Sequence, residues 1–176
     1  MSLLRRLALA LLAATVLAGC GFKLRTSQVL PFATIAVTPE KTAGVAGDMA
    51  RYLGDIVRPV APGAGEEPPE VILDILQDAR EKLVVGVNAS GQVREYELRM
   101  RVTFALRSPK GGELIAPTVI EQHRSISFNE SAVLAKEAEE VLLNRDMQND
   151  IVQQLMRRLA AFKPVNVAPL SAPVTE

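Results

Sequence analysis

The clearest pattern in the chain is a strict alternation near its centre. Tyr96, Leu98, Met100, Val102, Phe104 and Leu106 point one way, while Glu95, Glu97, Arg99, Arg101 and Thr103 point the other. That period of two is the signature of a strand with one buried face. Upstream, Val71 to Val87 is a second long strand candidate, with Asp74, Asp78, Arg80 and Lys82 on one parity. Asn88-Ala89-Ser90-Gly91 between them is a hairpin turn sequence. Ser108-Pro109-Lys110-Gly111-Gly112 is a second turn and leads into a third long strand over Glu113 to Phe128. Pro117 inside that strand predicts a bulge or an edge position, where its missing donor matters less. Near the start, Thr34-Ile35-Ala36-Val37 is a short β-rich run stopped by Pro39.

Elsewhere the period is helical. Over Gly44 to Val57, the residues Val45, Met49, Leu53 and Ile56/Val57 share one face. Pro59, Pro62, Pro68 and Pro69, with Gly63 and Gly65, then make a loop. From Ser131 to Phe162 a stripe runs through Leu134, Ala138, Val141/Leu142, Ile151, Leu155, Leu159 and Phe162. A helix of that extent is about 45 Å long, enough to cross a sheet of long strands diagonally. Lys163-Pro164 ends it, and residues 164–176 are expected to form a disordered tail. The order β-α-β-β-β-α predicts an α/β two-layer sandwich over residues 33–163. Its sheet has about four strands and carries two helices on one face.

The first residues follow a different logic. Arg5 and Arg6 precede an apolar run from Leu7 to Leu17. The run is shorter than the roughly 20 residues needed to span a bilayer, and it fits the apolar region of a secretory signal peptide. It ends in Leu17-Ala18-Gly19-Cys20, which resembles the bacterial lipobox, whose Cys is acylated and becomes the mature N-terminus. Residues 1–19 are therefore expected to be a signal peptide and 20–32 a lipidated tether. Two or more acyl chains on Cys20 make a stable anchor where one does not. Gly21 stands where an Asp commonly signals inner-membrane retention, which favours the outer membrane.

Composition narrows the chemistry. Removal of the leader takes Arg5 and Arg6 and leaves 18 basic against 20 acidic groups. That balance argues against a nucleic-acid partner bound through a positive field. One Cys and one His exclude a disulfide within the chain and a Cys/His zinc site. His123 shares a strand with Glu121 and Ser125, but nothing else suggests a catalytic triad. Asp74 and Asp78 are too sparse for a metal cage. Gly63-Ala64-Gly65 runs into Glu66-Glu67-Pro68 and fails as a dinucleotide loop. No enzyme and no bound cofactor are expected, apart from the covalent acyl chains.

Several segments together resemble the LptE family of lipopolysaccharide-assembly lipoproteins. They are Cys20-Gly21-Phe22-Lys23-Leu24-Arg25, Gly91-Gln92 with Glu95-Tyr96-Glu97-Leu98, and Leu134-Ala135-Lys136. Asp146-Met147-Gln148-Asn149-Asp150 and Gln153-Gln154-Leu155-Met156-Arg157-Arg158-Leu159 complete the set, in family order. The resemblance implies a non-enzymatic outer-membrane protein that plugs the LptD β-barrel and helps it assemble. Together the two would insert lipopolysaccharide into the outer leaflet. It also implies lipopolysaccharide contact near the hairpin and the start of the last helix, where Arg94 and Lys136 are the candidates. The face carrying Glu95, Glu97, Arg99, Arg101 and Thr103 would meet the polar barrel lumen. Read alone, the same face is the solvent side of a half-buried sheet. The alternative is a lipoprotein subunit of a different envelope transport complex.

Overall fold

The alternating segments pair into one sheet. The structure, a computed structural model, describes residues 30–163, so Cys20, the leader and the tail after Lys163 lie outside the described residues. Strands β1 (Ile35–Thr38), β2 (Val71–Val87), β3 (Val93–Arg107) and β4 (Glu113–Ser127) lie side by side in that order. β1 and β2 are parallel and connected through helix α1 (Gly44–Leu53), while the other pairings are antiparallel hairpins. Helix α2 (Val133–Ala161) follows β4 after a 3-10 turn. This is the expected two-layer α/β architecture with its β-α-β-β-β-α order.

The core forms where the patterns predict. Leu98, Met100, Val102, Phe104 and Leu106 of β3 are each no more than 1% exposed. Val45, Met49 and Leu53 of α1 and Met147, Ile151, Val152, Leu155 and Leu159 of α2 cover them. Leu30 and Phe32, at the end of the stretch read as tether, also pack against this core. Pro117 sits on edge strand β4, at a register shift between Phe104 and Leu106 of its partner, so it occupies both an edge and a bulge.

Two details depart from the sequence pattern. First, the register of β2 against β3 shifts between Ile75 and Gln77, leaving Leu76 as an extra residue. A one-residue slip turns every later side chain over. Asp74 therefore pairs with Ala105 on the open face, whereas Asp78, Arg80 and Lys82 oppose Val102, Met100 and Leu98 on the helix face. The four charged residues share a parity but not a face. Second, the stripe of α2 holds only in its C-terminal half. Leu134, Val141 and Leu142 are 82%, 67% and 62% exposed. The side turned to the sheet runs instead through Lys136, Glu140 and Leu143 to Met147. The sheet beneath the first turns offers Ser127 and Lys82 as polar partners for Lys136 and Glu140, beside Tyr96 and Ile126.

The bulge gives Asp78 a structural task. Its Oδ2 accepts a 3.0 Å hydrogen bond from the Val45 N–H and so caps the start of α1 from a neighbouring strand. Gly44, at φ 71°, lies so close that an added Cβ would stand 2.7 Å from that oxygen. Asp74 is held by Thr38 and by Arg107, whose Nε donates to it across 2.6 Å. Both carboxylates are thus engaged in the fold.

Candidate functional site

The residues singled out from the sequence fall into two groups on the structure. The first is the open face of the sheet. Glu97, Arg99, Arg101 and Thr103 project there from β3, with Glu121 and His123 beside them on β4 and Gln77 and Glu81 on β2. The charges of Glu97, Arg99, Arg101 and Glu121 offset one another. An Arg99 terminal nitrogen donates to Glu97 across 2.7 Å, and Arg101 grips Glu121 through two 3.0 Å contacts. Arg99 Nε lies 3.3 Å from Glu121 but makes no hydrogen bond, so that contact is electrostatic only. The Glu97 hydrogen bond holds the Arg99 pKa above the ordinary guanidinium value, with the charges of Glu97, Glu121 and Glu81 adding to it against some desolvation. Thr103 reaches Gln77 at 3.4 Å, and Glu95 is exposed toward the hairpin end. The face is a polar lattice in which Glu97, Arg99, Arg101 and Glu121 pair with one another, while Glu81 and Glu95 add negative charge.

The second group sits at the end of the sheet that carries the β2–β3 hairpin. Lys136, the fourth residue of α2, does not extend into solvent from the helix start. Its Nζ donates to Ser127 Oγ at 2.9 Å and to Glu139 at 2.8 Å, and its side chain is 23% exposed. Beside it, Lys82 Nζ donates to Glu140 at 2.6 Å and lies 4.4 Å above the centre of the Tyr96 ring. Tyr96 meets Phe128 edge-on, with ring centres 5.4 Å apart. Lys82, Lys136, Tyr96, Phe128, Glu137 and Glu140 line one cleft of about 60 Å³. Two ammonium groups thus share the cleft, Lys82 over the Tyr96 ring and Lys136 beside Ser127, each held by a carboxylate that another anion could displace.

Arg94 does not line this cleft. It is the extra β3 residue between Val93 and Glu95, which pair with Val87 and Gly86, and its carbonyl accepts a 2.8 Å bond from the Phe128 N–H. Its side chain is exposed on the hairpin. Sequence reasoning missed Lys82 because the bulge at Leu76 decides its face, and no residue pattern marks that bulge. A lysine six residues before the Asn88 turn was the available signal, and it is a weak one. His123 is exposed on the open face opposite Arg99, and the carboxylate of Glu121 on the same face is held by Arg101. Among the described residues, no helix is long and apolar enough to cross a membrane.

Residues 32–159 match the sequence model of the LptE family, described as lipopolysaccharide-assembly. The LPS-assembly lipoprotein LptE of Pectobacterium atrosepticum is 27% identical over 153 residues, covering 84% of this chain and 80% of that protein. The protein of the same name from Yersinia enterocolitica is 30% identical over 152 residues, covering 84% and 72%. Among solved structures, lipoprotein B from Nitrosomonas europaea superposes with a TM-score of 0.65 at 36% identity, covering 81% of this chain and 92% of that one. A minor lipoprotein from Acinetobacter baumannii shares the fold with a TM-score of 0.58 at 21% identity, covering 76% and 94%.

Proposed function

The chain belongs to the LptE family of lipopolysaccharide-assembly proteins, and from that membership we propose that it is an outer-membrane lipoprotein that plugs the LptD barrel. In this role it helps the barrel assemble and takes part in inserting lipopolysaccharide into the outer leaflet. Participation in lipopolysaccharide transport is the family's role; the plug, the barrel partner and the outer-membrane location are the finer reading. The observation that carries it is the family match across nearly the whole folded domain. The paired lattice of Glu97, Arg99, Arg101 and Glu121 supports it physically. A lone charge moved from water into a lumen would be left uncompensated, whereas a paired one keeps its partner. Such a face can lie against a polar barrel wall.

Depletion of the protein in its own cells tests this reading. Surface lipopolysaccharide and correctly oxidised LptD should both fall, and a Cys20→Ala chain should lose its fatty-acid label. Normal surface lipopolysaccharide with normal barrel would overturn the plug role. Equal fatty-acid label on the wild type and Cys20→Ala would overturn the anchor.

Lipopolysaccharide contact is assigned to the hairpin end, with Lys136 and Lys82 as its cations and exposed Arg94 as an outlying one. A phosphate there exchanges with Glu139 and Glu140 for the two ammonium groups, gaining charge-assisted hydrogen bonds. Lys136→Asp should weaken lipopolysaccharide capture by the full chain about tenfold, the scale of one charged hydrogen bond. Barrel co-purification should persist, and exposed Arg157→Asp on the same helix should change neither. Undiminished capture by Lys136→Asp at moderate ionic strength would remove the assignment.

A further inference from the structure

A second cationic site lies away from the hairpin end, where the C-terminal part of α1 meets the middle of α2 above β2. The groove between them holds about 520 Å³. Arg51, Arg80 and Arg145 converge on it from three different elements. Against these three guanidinium groups stands one lining carboxylate, Asp48, which is already engaged by Arg51 and by the Gln148 amide. Gln148 turns its other atom, Oε1, to accept from Arg80, so the amide orients that guanidinium without neutralising it. Among the described residues, neither Arg80 nor Arg145 is paired with a carboxylate. Exposed Tyr52 and Val141, 53% and 67% accessible, add an aromatic and an aliphatic wall.

Surface arginines commonly do nothing more than meet water; Arg80 is itself exposed, but it lies on the helix side of the sheet rather than on its open face. The bulge at Leu76 carries it onto the helix side of the sheet, directly opposite buried Met100. An apolar residue there would extend the core, whereas an arginine leaves its charge at the groove floor. Guanidinium groups present planar forks of donors suited to phosphate oxygens, more so than a flexible ammonium. We infer that this groove binds phosphate groups, with Arg80 and Arg145 as the principal contacts, Arg51 at the rim, and Tyr52 and Val141 against the moiety that carries the phosphate. The inference stands apart from the Lys82–Lys136 assignment and shares no residue with it. The phosphate can come from a free anion or from the phosphorylated saccharide of a lipid.

The test uses the full chain in non-ionic detergent micelles, with the arginine Nε–H signals followed by NMR as inorganic pyrophosphate is added at constant ionic strength. Saturable shifts are expected. Arg80→Gln and Arg145→Gln should each raise Kd about tenfold, while Arg157→Gln should leave it unchanged. Thermal melts matching the wild type would exclude misfolding as the cause. A second arm compares purified lipopolysaccharide with and without its phosphates. A preference for the phosphorylated form that both groove variants abolish assigns the phosphate to the lipid. Pyrophosphate binding without such a preference assigns it to a free anion. Absence of saturable shifts, or shifts that survive in both variants, would overturn the inference. Lys136→Asp, measured beside them, reports separately on the hairpin-end site.

Discussion

Val102→Asp is expected to unfold the domain or bring it close to unfolding at room temperature. Val102 is fully buried in the middle of β3, between Ile120 on one side and Asp78 on the other. The substitution forfeits about 1.5–3 kcal/mol of apolar burial. It also sets a carboxylate in the core beside an existing carboxylate, and an unpaired buried charge costs several kcal/mol more. A domain of this size has a total stability of about 5–15 kcal/mol. Met100 is a less severe position for the same change, because Arg80 stands directly across from it and could meet the new charge. Val119→Asp is the control. Val119 is 50% exposed on the open face and pairs with Thr103, so the charge stays in water. Urea midpoints should fall sharply for the first variant and barely move for the second. Equal losses would mean that the two faces of the sheet have been assigned wrongly.

Gly47→Ala should destabilise the protein by about 1–3 kcal/mol, the usual cost of overpacking a site that cannot relax. In an ordinary helix interior the same change stabilises by about 0.8–1.0 kcal/mol, so the sign is the test. A Cβ on Gly47 would stand 2.4 Å from the carbonyl carbon of Thr42 and 2.5 Å from its oxygen. These are backbone atoms of the segment leading into α1, with no flexible side chain to swing aside. Helix and segment would have to separate, taking Val45 and Met49 out of register with the core. Gly63→Ala, where the nearest atoms of the Glu66 side chain leave 3.6 Å, should be tolerated. A rise in the urea midpoint for Gly47→Ala would show that the helix can shift freely.

Much of this fold was legible because alternation in β3 is a direct print of burial. Leu98, Met100, Val102, Phe104 and Leu106 had no other reading, and the polar residues between them had to share the open face. Two things could not be read. The bulge at Leu76 arises from how β2 fits β3, and nothing about Leu76 itself announces it. It nevertheless decides that Arg80 and Lys82 face the helices. The phase of α2 was equally hidden, since Leu134, Val141 and Leu142 form as good a helical stripe as the one the sheet selects. What selects is the surface underneath, apolar below Met147 to Leu159 and mixed below Lys136 and Glu140, where Ser127 and Lys82 offer polar partners. The candidate site suffered accordingly. Lys136 was visible, but its partner Ser127 and neighbour Lys82 come from other strands and meet it only after folding. Arg94 looked equivalent in sequence but is carried out of the cleft by its place in a bulge.

The length of β2 makes the molecule a measuring rod. The chain enters the domain beside the first residue of that strand, where the Ala33 N–H donates to Glu70 and the Glu70 N–H to Thr34. The hairpin is at the other end, seventeen residues of strand away, a span of about 50 Å, and Lys82 of the Lys82–Lys136 cleft lies about 35 Å along it. The hydrocarbon of a bilayer is about 30 Å thick. If acyl chains on Cys20 hold the entry end at one leaflet, an upright domain carries its hairpin past the depth of the opposite leaflet or as far into the periplasm. Which way the rod points then decides which side of the membrane its lysines can touch, and a protein wall that fixes the direction would turn a length into an address.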